Sequence, residues 1–139
     1  MLTQKERQIV YAYRDLFDEQ KVWRTMNWRG HDIAKIPNDL WLYQEVLFDL
    51  KPALVVEFGT NLGGSALFFA DMLDRNGSGR VLSIDIRDVP NLPEHPRLDY
   101  FVGHSRNDGA IAAVTEAVAA ANGSVLFIED SLHMPEHTA

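Results

Sequence analysis

Apolar residues recur at helical spacing in the first fifty positions of the chain, and this pattern predicts two helices. The opening TQKE, at residues 3–6, is typical of a capping box, and the apolar repeat behind it predicts a first helix to about Gln20. An irregular stretch follows. A second helix is predicted after Pro37, with Asn38 as its N-cap, and should end before the Lys-Pro pair at residues 51 and 52.

The pattern changes after residue 52 to short apolar runs that alternate with longer helical segments. The runs predict four buried strands, ALVVEFG, RVLSIDI, LDYFVG and SVLFIED. Two helices are predicted between them: GSALFFADMLDRNG, closed by Gly77, and an alanine-rich helix that ends at Gly123. Strands that alternate with helices indicate crossover connections and a parallel sheet. We therefore predict an α/β fold with a Rossmann-like, doubly wound sheet.

The predicted elements divide the chain into two parts and leave one sheet edge open. Residues 1–52 should form a helical segment that packs on the sheet, and residues 53–139 a Rossmann-like domain. The SLHMPEHTA that follows the fourth strand offers Pro135 as a helix start and no further strand. A doubly wound sheet would need more strands here, so we expect either a longer native protein or a homo-oligomer formed through this edge.

Composition restricts the class of protein. A chain of 139 residues with 46% apolar and 24% charged residues is typical of one soluble globular domain. No apolar stretch is long enough for a membrane span, so no membrane partner is expected. The absence of cysteine removes thiol chemistry and fits a reducing compartment such as the cytoplasm. A net charge of −7 argues against a nucleic-acid partner.

The most informative stretch is VVEFGTNLGGSALFFA, in which a predicted strand runs through a glycine loop into a predicted helix. This arrangement directs backbone N–H groups and the positive end of the helix toward a ligand. Gly59 suits a tight turn, and Gly63 and Gly64 would let the backbone approach a cofactor closely. The dinucleotide fingerprint G-x-G-x-x-G is absent, because Asn61 stands where its second glycine would be. Alternatively, these glycines are turn residues that bind nothing.

Two acids accompany this loop. Asp85 ends the next predicted strand, where this fold places an acid that accepts hydrogen bonds from ribose hydroxyls. The alternative is an ordinary acid at a strand end. Glu57 lies inside an apolar run, where an unpaired carboxylate would cost several kcal/mol, roughly, in folding free energy. We expect Glu57 to brace the loop by accepting its backbone N–H groups.

These motifs support a family resemblance. E-x-G-x-x-x-G-G-S after a strand, with an acid ending the next strand, resembles class I S-adenosylmethionine-dependent methyltransferases. More closely, the chain resembles the family named for cephalosporin hydroxylase, which also contains rhamnosyl O-methyltransferases. The stretches that carry this resemblance are WRGHDIAKIPNDLWLYQEVL, EFGTNLGGSALFFADML and VLFIEDSLHMPEH. In that family the last stretch reads D-S-D-H and then E-H. Asp130, Ser131, His133, Glu136 and His137 match it, whereas Leu132 replaces the middle acid.

The resemblance implies S-adenosylmethionine as the cofactor and the first four strands of a class I methyltransferase sheet. It also implies a set of cofactor-binding positions, namely Glu57, Gly59, Thr60, Gly63, Gly64, Ser65, Asp85, His104 and Ser105. Asp85 would bind the ribose, and His104 and Ser105 would lie near the adenine. Some members have an acid that serves the cofactor or a metal where this chain has His104. Family members usually continue with several more strands and helices.

A second group of polar residues follows the fourth predicted strand. Ligands of open parallel sheets bind outside the carboxyl ends of the strands, so Glu129 and Asp130 should share a crevice with Asp85. Methyl transfer to a hydroxyl requires loss of the hydroxyl proton, for which His133 and Asp130 are the candidate catalytic residues. Mg²⁺ held by Glu129 and Asp130 would have the same effect. Alternatively, these acids are solvated or cap a helix, and His133 lies on a surface loop.

Three functions are consistent with these features. The first is an O-methyltransferase that acts on a hydroxyl of a small molecule, a sugar or a natural product. The second is a truncated, non-catalytic module that only binds the cofactor. The third is a nicotinamide-dependent oxidoreductase, against which the missing fingerprint and the lack of a Tyr-x-x-x-Lys pair argue.

Overall fold

The elements of a computed structural model, which describes residues 2–131, follow the predicted alternation of helices and strands. In chain order they are α1 (Gln4–Glu19), a short 3-10 helix (Val22–Thr25), β1 (Asn27–Trp28), β2 (His31–Asp32), α2 (Pro37–Leu50), β3 (Leu54–Phe58), α3 (Gly64–Asn76), β4 (Arg80–Asp85), β5 (Leu98–Val102), α4 (Asp108–Ala120) and β6 (Val125–Glu129). The strands β1 and β2 form a small antiparallel hairpin within the stretch predicted to be irregular.

The four longer strands form one parallel sheet in the order β5-β4-β3-β6. The chain therefore starts in the middle of the sheet, moves outward through β4 to β5, and returns through α4 to place β6 on the other side of β3. This reversal of direction beside β3 is the switch point at which open α/β sheets bind ligands. The predicted α/β, Rossmann-like class is confirmed.

Successive side chains of each strand point to opposite faces of the sheet, and a helix covers each face. Side chains that face α3 form one core cluster, which includes Val55, Val81, Leu98 and Ile128. Side chains that face α4 form the other, which includes Leu54, Val56, Leu82 and Ile84. Since Glu57 is two positions after Val55, this alternation places it on the α3 face.

The N-terminal elements form largely as predicted, with one correction. The Thr3–Glu6 capping box is present, with both reciprocal hydrogen bonds. The predicted N-cap of α2, Asn38, is wrong: Pro37 is the first residue of the helix and Ile36 is the cap. Proline suits that first position because its missing N–H would have no partner there. The helix ends as predicted before Lys51, which adopts a left-handed conformation.

Aromatic contacts join the N-terminal segment to α3. The ring of Trp28 packs edge-on against Phe68 at 5.0 Å between centroids, and Tyr43 packs similarly against Phe69 at 5.1 Å. Trp28 also donates a hydrogen bond from Nε1 to Asp71 at 2.7 Å. The hairpin and α2 are thereby held beside the start of α3, so residues of the irregular stretch can contribute to a site at the glycine loop.

The second half of the sheet differs from prediction in one boundary. The helix α4 ends at Ala120, before the predicted stop at Gly123, because Ala121 already has an extended backbone that leads into β6. Within the described residues β6 pairs only with β3, so it is the edge strand that the sequence predicted. None of the helices in residues 2–131 has the length and apolar character needed to cross a membrane.

Candidate functional site

A cavity of about 840 Å³ opens at the carboxyl ends of the sheet strands. Its volume is in the range of cofactor and small-molecule sites. The predicted site residues in its wall are Gly59, Thr60, Gly64, Ser65, Asp85, His104, Ser105 and Asp130. Glu57, Gly63 and Glu129 are not part of the wall. His133, the predicted catalytic histidine, lies outside the described residues, as do Glu136 and His137.

The glycine loop needs its glycines for a reason that the sequence did not reveal. Gly59 and Gly63 have φ values of +107° and +80°, which only glycine adopts without strain. A methyl group on Gly59 would overlap the carbonyl oxygen of Asp130, and one on Gly64 would overlap that of Asp32. These glycines were expected to let the loop approach a cofactor closely. At Gly59 and Gly64 the structure shows a close approach to the protein's own backbone. The loop is held between the hairpin and the end of β6.

We expect Gly64→Ala to lower the free energy of unfolding by about 3 kcal/mol, because its methyl group meets backbone atoms that cannot rotate away. Thermal or urea unfolding would measure this loss. The matched control is Gly109→Ala, a change in the first turn of α4 where the methyl group meets only ordinary contacts. That control should be neutral or slightly stabilising. Equal stability of both variants would contradict the packing assigned to Gly64.

Glu57 is completely buried beneath the glycine loop, and its carboxylate joins three elements. It accepts hydrogen bonds from the hydroxyls of Ser65, at 2.6 Å, and Ser83, at 2.7 Å. A third hydroxyl, that of Thr60, lies 2.7 Å from the Ser83 oxygen. The predicted bracing role is thus fulfilled by side-chain hydroxyls, and the expectation of backbone N–H donors is wrong. Burial raises the pKa of Glu57 to about 7, although these hydrogen bonds and Lys35 oppose the increase.

Asp85 ends β4 and reaches the cavity wall with both carboxylate oxygens hydrogen-bonded. Its Oδ2 accepts the backbone N–H of Asn61 at 2.9 Å, and its Oδ1 that of Arg87 at 3.0 Å. Partial burial raises the pKa of Asp85, but these hydrogen bonds and the Arg87 guanidinium outweigh burial, so the pKa lies below its ordinary value. Asp85 therefore carries a stable negative charge at the cavity, with lone pairs left for a ligand.

The residues after β5 occupy the adjacent part of the wall. His104 and Ser105 both line the cavity. The Nδ1 of His104 accepts the backbone N–H of Arg106 at 3.1 Å, which fixes the imidazole ring. The carboxyl ends of β4 and β5 thus bring His104 and Ser105 to the same cavity as Asp85, which is consistent with the positions that the family resemblance implied.

The end of β6 brings Asp130 to the cavity together with an unforeseen partner. Lys35, from the segment between β2 and α2, is buried, and its Nζ forms an ion pair with Oδ2 of Asp130. Glu129 is exposed, and its Oε1 accepts hydrogen bonds from the backbone and hydroxyl of Ser131. In the described part of the chain, no three His, Asp or Glu side chains are placed to hold a metal ion.

Two residues that contact the acids of this site were not among the predicted ones: Ser83, which donates to Glu57, and Lys35, which pairs with Asp130. Ser83 could have been found, because parallel pairing of the two predicted strands sets it opposite Glu57. Lys35 carries no such signal. It lies in an irregular stretch, and only the tertiary fold brings it to Asp130, 95 positions later.

The comparison with protein families and curated proteins agrees with the resemblance. The sequence model of the family described as rhamnosyl O-methyltransferase/CmcI matches residues 20–139. Rhamnosyl O-methyltransferase of Mycobacterium leprae (strain TN) is 34% identical over 128 residues, covering 90% of this chain and 56% of that protein. The protein of the same name from Mycobacterium tuberculosis (strain ATCC 25618 / H37Rv) is 36% identical over 134 residues, covering 93% of this chain and 54% of that protein. The chain thus spans about half the length of these relatives.

Solved structures of CmcI share the fold. One is an apo structure with a TM-score of 0.65 and 24% identity, matched over 81% of this chain and 48% of that one. Another, of CmcI with Mg and SAM, has a TM-score of 0.65 and 24% identity, over 79% and 47%. At this identity the likeness shows the architecture alone.

Proposed function

Because the chain belongs to the rhamnosyl O-methyltransferase/CmcI family, we propose that it binds S-adenosylmethionine and transfers the methyl group to a hydroxyl of a sugar or natural product. One observation carries this proposal: eight of the predicted site residues, drawn from four separate stretches of sequence, line one cavity. An acid at the end of β4 and a glycine loop before α3 are the two features that this cofactor requires together.

The residues of the cavity fit the cofactor. Asp85 is a stable carboxylate in the wall, suited to accept hydrogen bonds from ribose hydroxyls. The loop from Gly59 to Ser65 would receive the amino-acid end of the molecule, next to the start of α3. His104 and Ser105 would flank the adenine, in the adjacent part of the wall. Glu57 would support the loop from below through Ser65, without contacting the ligand.

The chemistry then requires control of the acceptor hydroxyl. S-adenosylmethionine, when bound, supplies an electrophilic methyl group. The hydroxyl oxygen must be aligned with that methyl group and must lose its proton. Asp130, which follows β6 and lines the wall, is suited to orient the hydroxyl through its carboxylate. We retain His133 as the proposed general base.

The direct test is calorimetric titration of the folded chain with S-adenosylhomocysteine, repeated with NAD as a competitor. We expect affinity of about micromolar order, unaffected by NAD. Methyl transfer to rhamnosyl acceptors, followed with labelled S-adenosylmethionine, then tests turnover. Binding without transfer would identify a cofactor-binding module, the main alternative, and displacement by NAD would favour an oxidoreductase. Absence of binding by folded protein would overturn the proposal.

We also propose that two copies of the chain associate through the β6 edge. Within the described residues the outer backbone of β6 has no partner strand, and the Phe127 side chain on it is 54% exposed. Unpaired strand edges with exposed apolar side chains favour association. We expect light scattering after size-exclusion chromatography to give more than the monomer mass, and Phe127→Lys to shift the protein toward monomer. Val102→Lys, at a similarly exposed apolar position on the opposite edge strand β5, is the control. A wild-type monomer would contradict the proposal.

A further inference from the structure

The ion pair between Lys35 and Asp130 is the feature of the site that the proposed cofactor does not explain. The Lys35 side chain is 6% exposed and the Asp130 side chain 38% exposed, so the ammonium is buried while the carboxylate reaches the cavity. The Lys35 Nζ also lies 5.7 Å from the centre of the Tyr43 ring, on the side of α2. A buried ammonium is unfavourable unless it has a close anionic partner, and here Asp130 is that partner.

Lys35 also acts on a second acid. Burial raises the pKa of Glu57, and Lys35 lowers it while Asp130 raises it. The Lys35 ammonium therefore stabilises the negative charge of both Glu57, near the end of β3, and Asp130, after β6. Removing it would leave the repulsion between the Glu57 and Asp130 charges unopposed by a cation, although Glu57 would keep its hydrogen bonds from Ser65 and Ser83.

The described residues at the end of β6 do not fit a magnesium ion. Mg²⁺ requires oxygen ligands in near-octahedral geometry, usually with free carboxylates. Of the two acids predicted to bind it, Asp130 has an oxygen in contact with Lys35, and Glu129 is hydrogen-bonded to Ser131. At the end of β5, where some family members have an acid, this chain has His104. A divalent cation at Asp130 would meet the Lys35 ammonium within a few ångströms, where like charges repel strongly.

We propose that Lys35 is the resident cation of this site, a positioning residue that fixes Asp130 and makes the site independent of divalent metal. Its role in methyl transfer rests on the proposed function, whereas the exclusion of metal ions does not. The ammonium holds one oxygen of Asp130, so the carboxylate presents a defined orientation to the cavity. It also supplies the positive charge that a metal would otherwise bring to the end of β6.

The test uses Mn²⁺ as a probe, with free Mn²⁺ followed by electron paramagnetic resonance. We expect wild-type protein to bind no Mn²⁺ up to about 1 mM, the range of weak calcium sites in proteins. Lys35→Glu replaces the ammonium by a third carboxylate and should bind one Mn²⁺, with a thermal midpoint that rises when Mn²⁺ is added. Lys5→Glu, the same change at an exposed position of α1, should show neither effect.

Each result bears on the inference separately from the proposed function. One Mn²⁺ bound per wild-type chain would overturn the inference, whether or not S-adenosylhomocysteine binds. A folded Lys35→Glu protein that behaves like wild type would also overturn it. If Lys35→Glu does not fold, Lys35→Gln frees Asp130 and should show a smaller gain, and wild-type behaviour of that folded variant would overturn the inference. Affinity for S-adenosylhomocysteine should be equal in EDTA and in Mg²⁺.

Discussion

Asp85→Ala is expected to lower the affinity for S-adenosylhomocysteine at least about 100-fold, the largest effect of any single change in the cavity. The Asp85 carboxylate would accept two hydrogen bonds from the ribose, and hydrogen bonds to a charged group contribute about 1.5 to 3 kcal/mol each. Two of them correspond to a factor of about 100 or more in the dissociation constant. Isothermal titration of both proteins measures this difference directly.

Two further variants separate the ribose contact from effects on the loop. Asp85 also accepts the backbone N–H groups of Asn61 and Arg87, so alanine would loosen that turn as well. Asp85→Asn keeps a side-chain oxygen for one N–H group and removes the charge, and we expect an intermediate loss. Asp88→Ala removes an exposed acid from the same loop, outside the cavity wall, and should bind like wild type. Unchanged affinity in folded Asp85→Ala would exclude the ribose role.

Glu57→Ala is expected to lower the free energy of unfolding by about 3 kcal/mol at pH 5, since it leaves a cavity and two unpaired hydroxyls. Those hydroxyls belong to Ser65 and Ser83, both buried. A loss of this size is a large fraction of the stability of a small domain. Urea unfolding at pH 5 would measure it. Glu116→Ala, an exposed acid of α4, is the control and should have little effect.

The ionisation of Glu57 gives a second, independent result. Its pKa is about 7 in the folded protein against an ordinary value of 4.5, so the folded state binds the proton more tightly. The stability contributed by this proton is complete below pH 4.5 and is lost as the pH rises through 7. At about 1.4 kcal/mol per pKa unit the loss is about 3 kcal/mol. Wild-type protein should therefore be less stable at pH 8 than at pH 5 through this group.

Glu57→Gln isolates that contribution, because the amide has the same size and does not titrate. The stability difference between wild type and Glu57→Gln should shift in favour of the variant by about 3 kcal/mol between pH 5 and pH 8. Both proteins retain all other titratable groups, so the pH dependence that those groups contribute cancels in the comparison. These groups include Lys35 and Asp130, the two charges that act on the pKa of Glu57. A difference that is constant with pH would contradict the raised pKa.

The sequence by itself determined the helices and the strands of the parallel sheet, and it indicated the place of the proposed cofactor site. The alternation of apolar runs and helical segments is local, and it predicted the parallel sheet and every strand in it. Parallel strands put their carboxyl ends at one edge, so the strand pattern assigned Asp85, Glu129 and Asp130 to one crevice. Asp85 and Asp130 line the cavity, whereas Glu129 does not. The sequence did not predict the 3-10 helix or the β1–β2 hairpin of the stretch expected to be irregular. It also misplaced helix boundaries such as the cap of α2, where a shift of one residue changes the assignment.

Only the tertiary structure decided what surrounds the acids. Glu57 accepts hydrogen bonds from hydroxyls of α3 and β4, Gly64 is required by the Asp32 carbonyl, and Asp130 is paired with Lys35. Each of these contacts joins residues that are distant in the chain, and their distances depend on how the hairpin and helices pack on the sheet. The free energy of a buried charge depends on those neighbours far more than on its own segment. For that reason a sequence pattern located the site, while packing determined its charge balance.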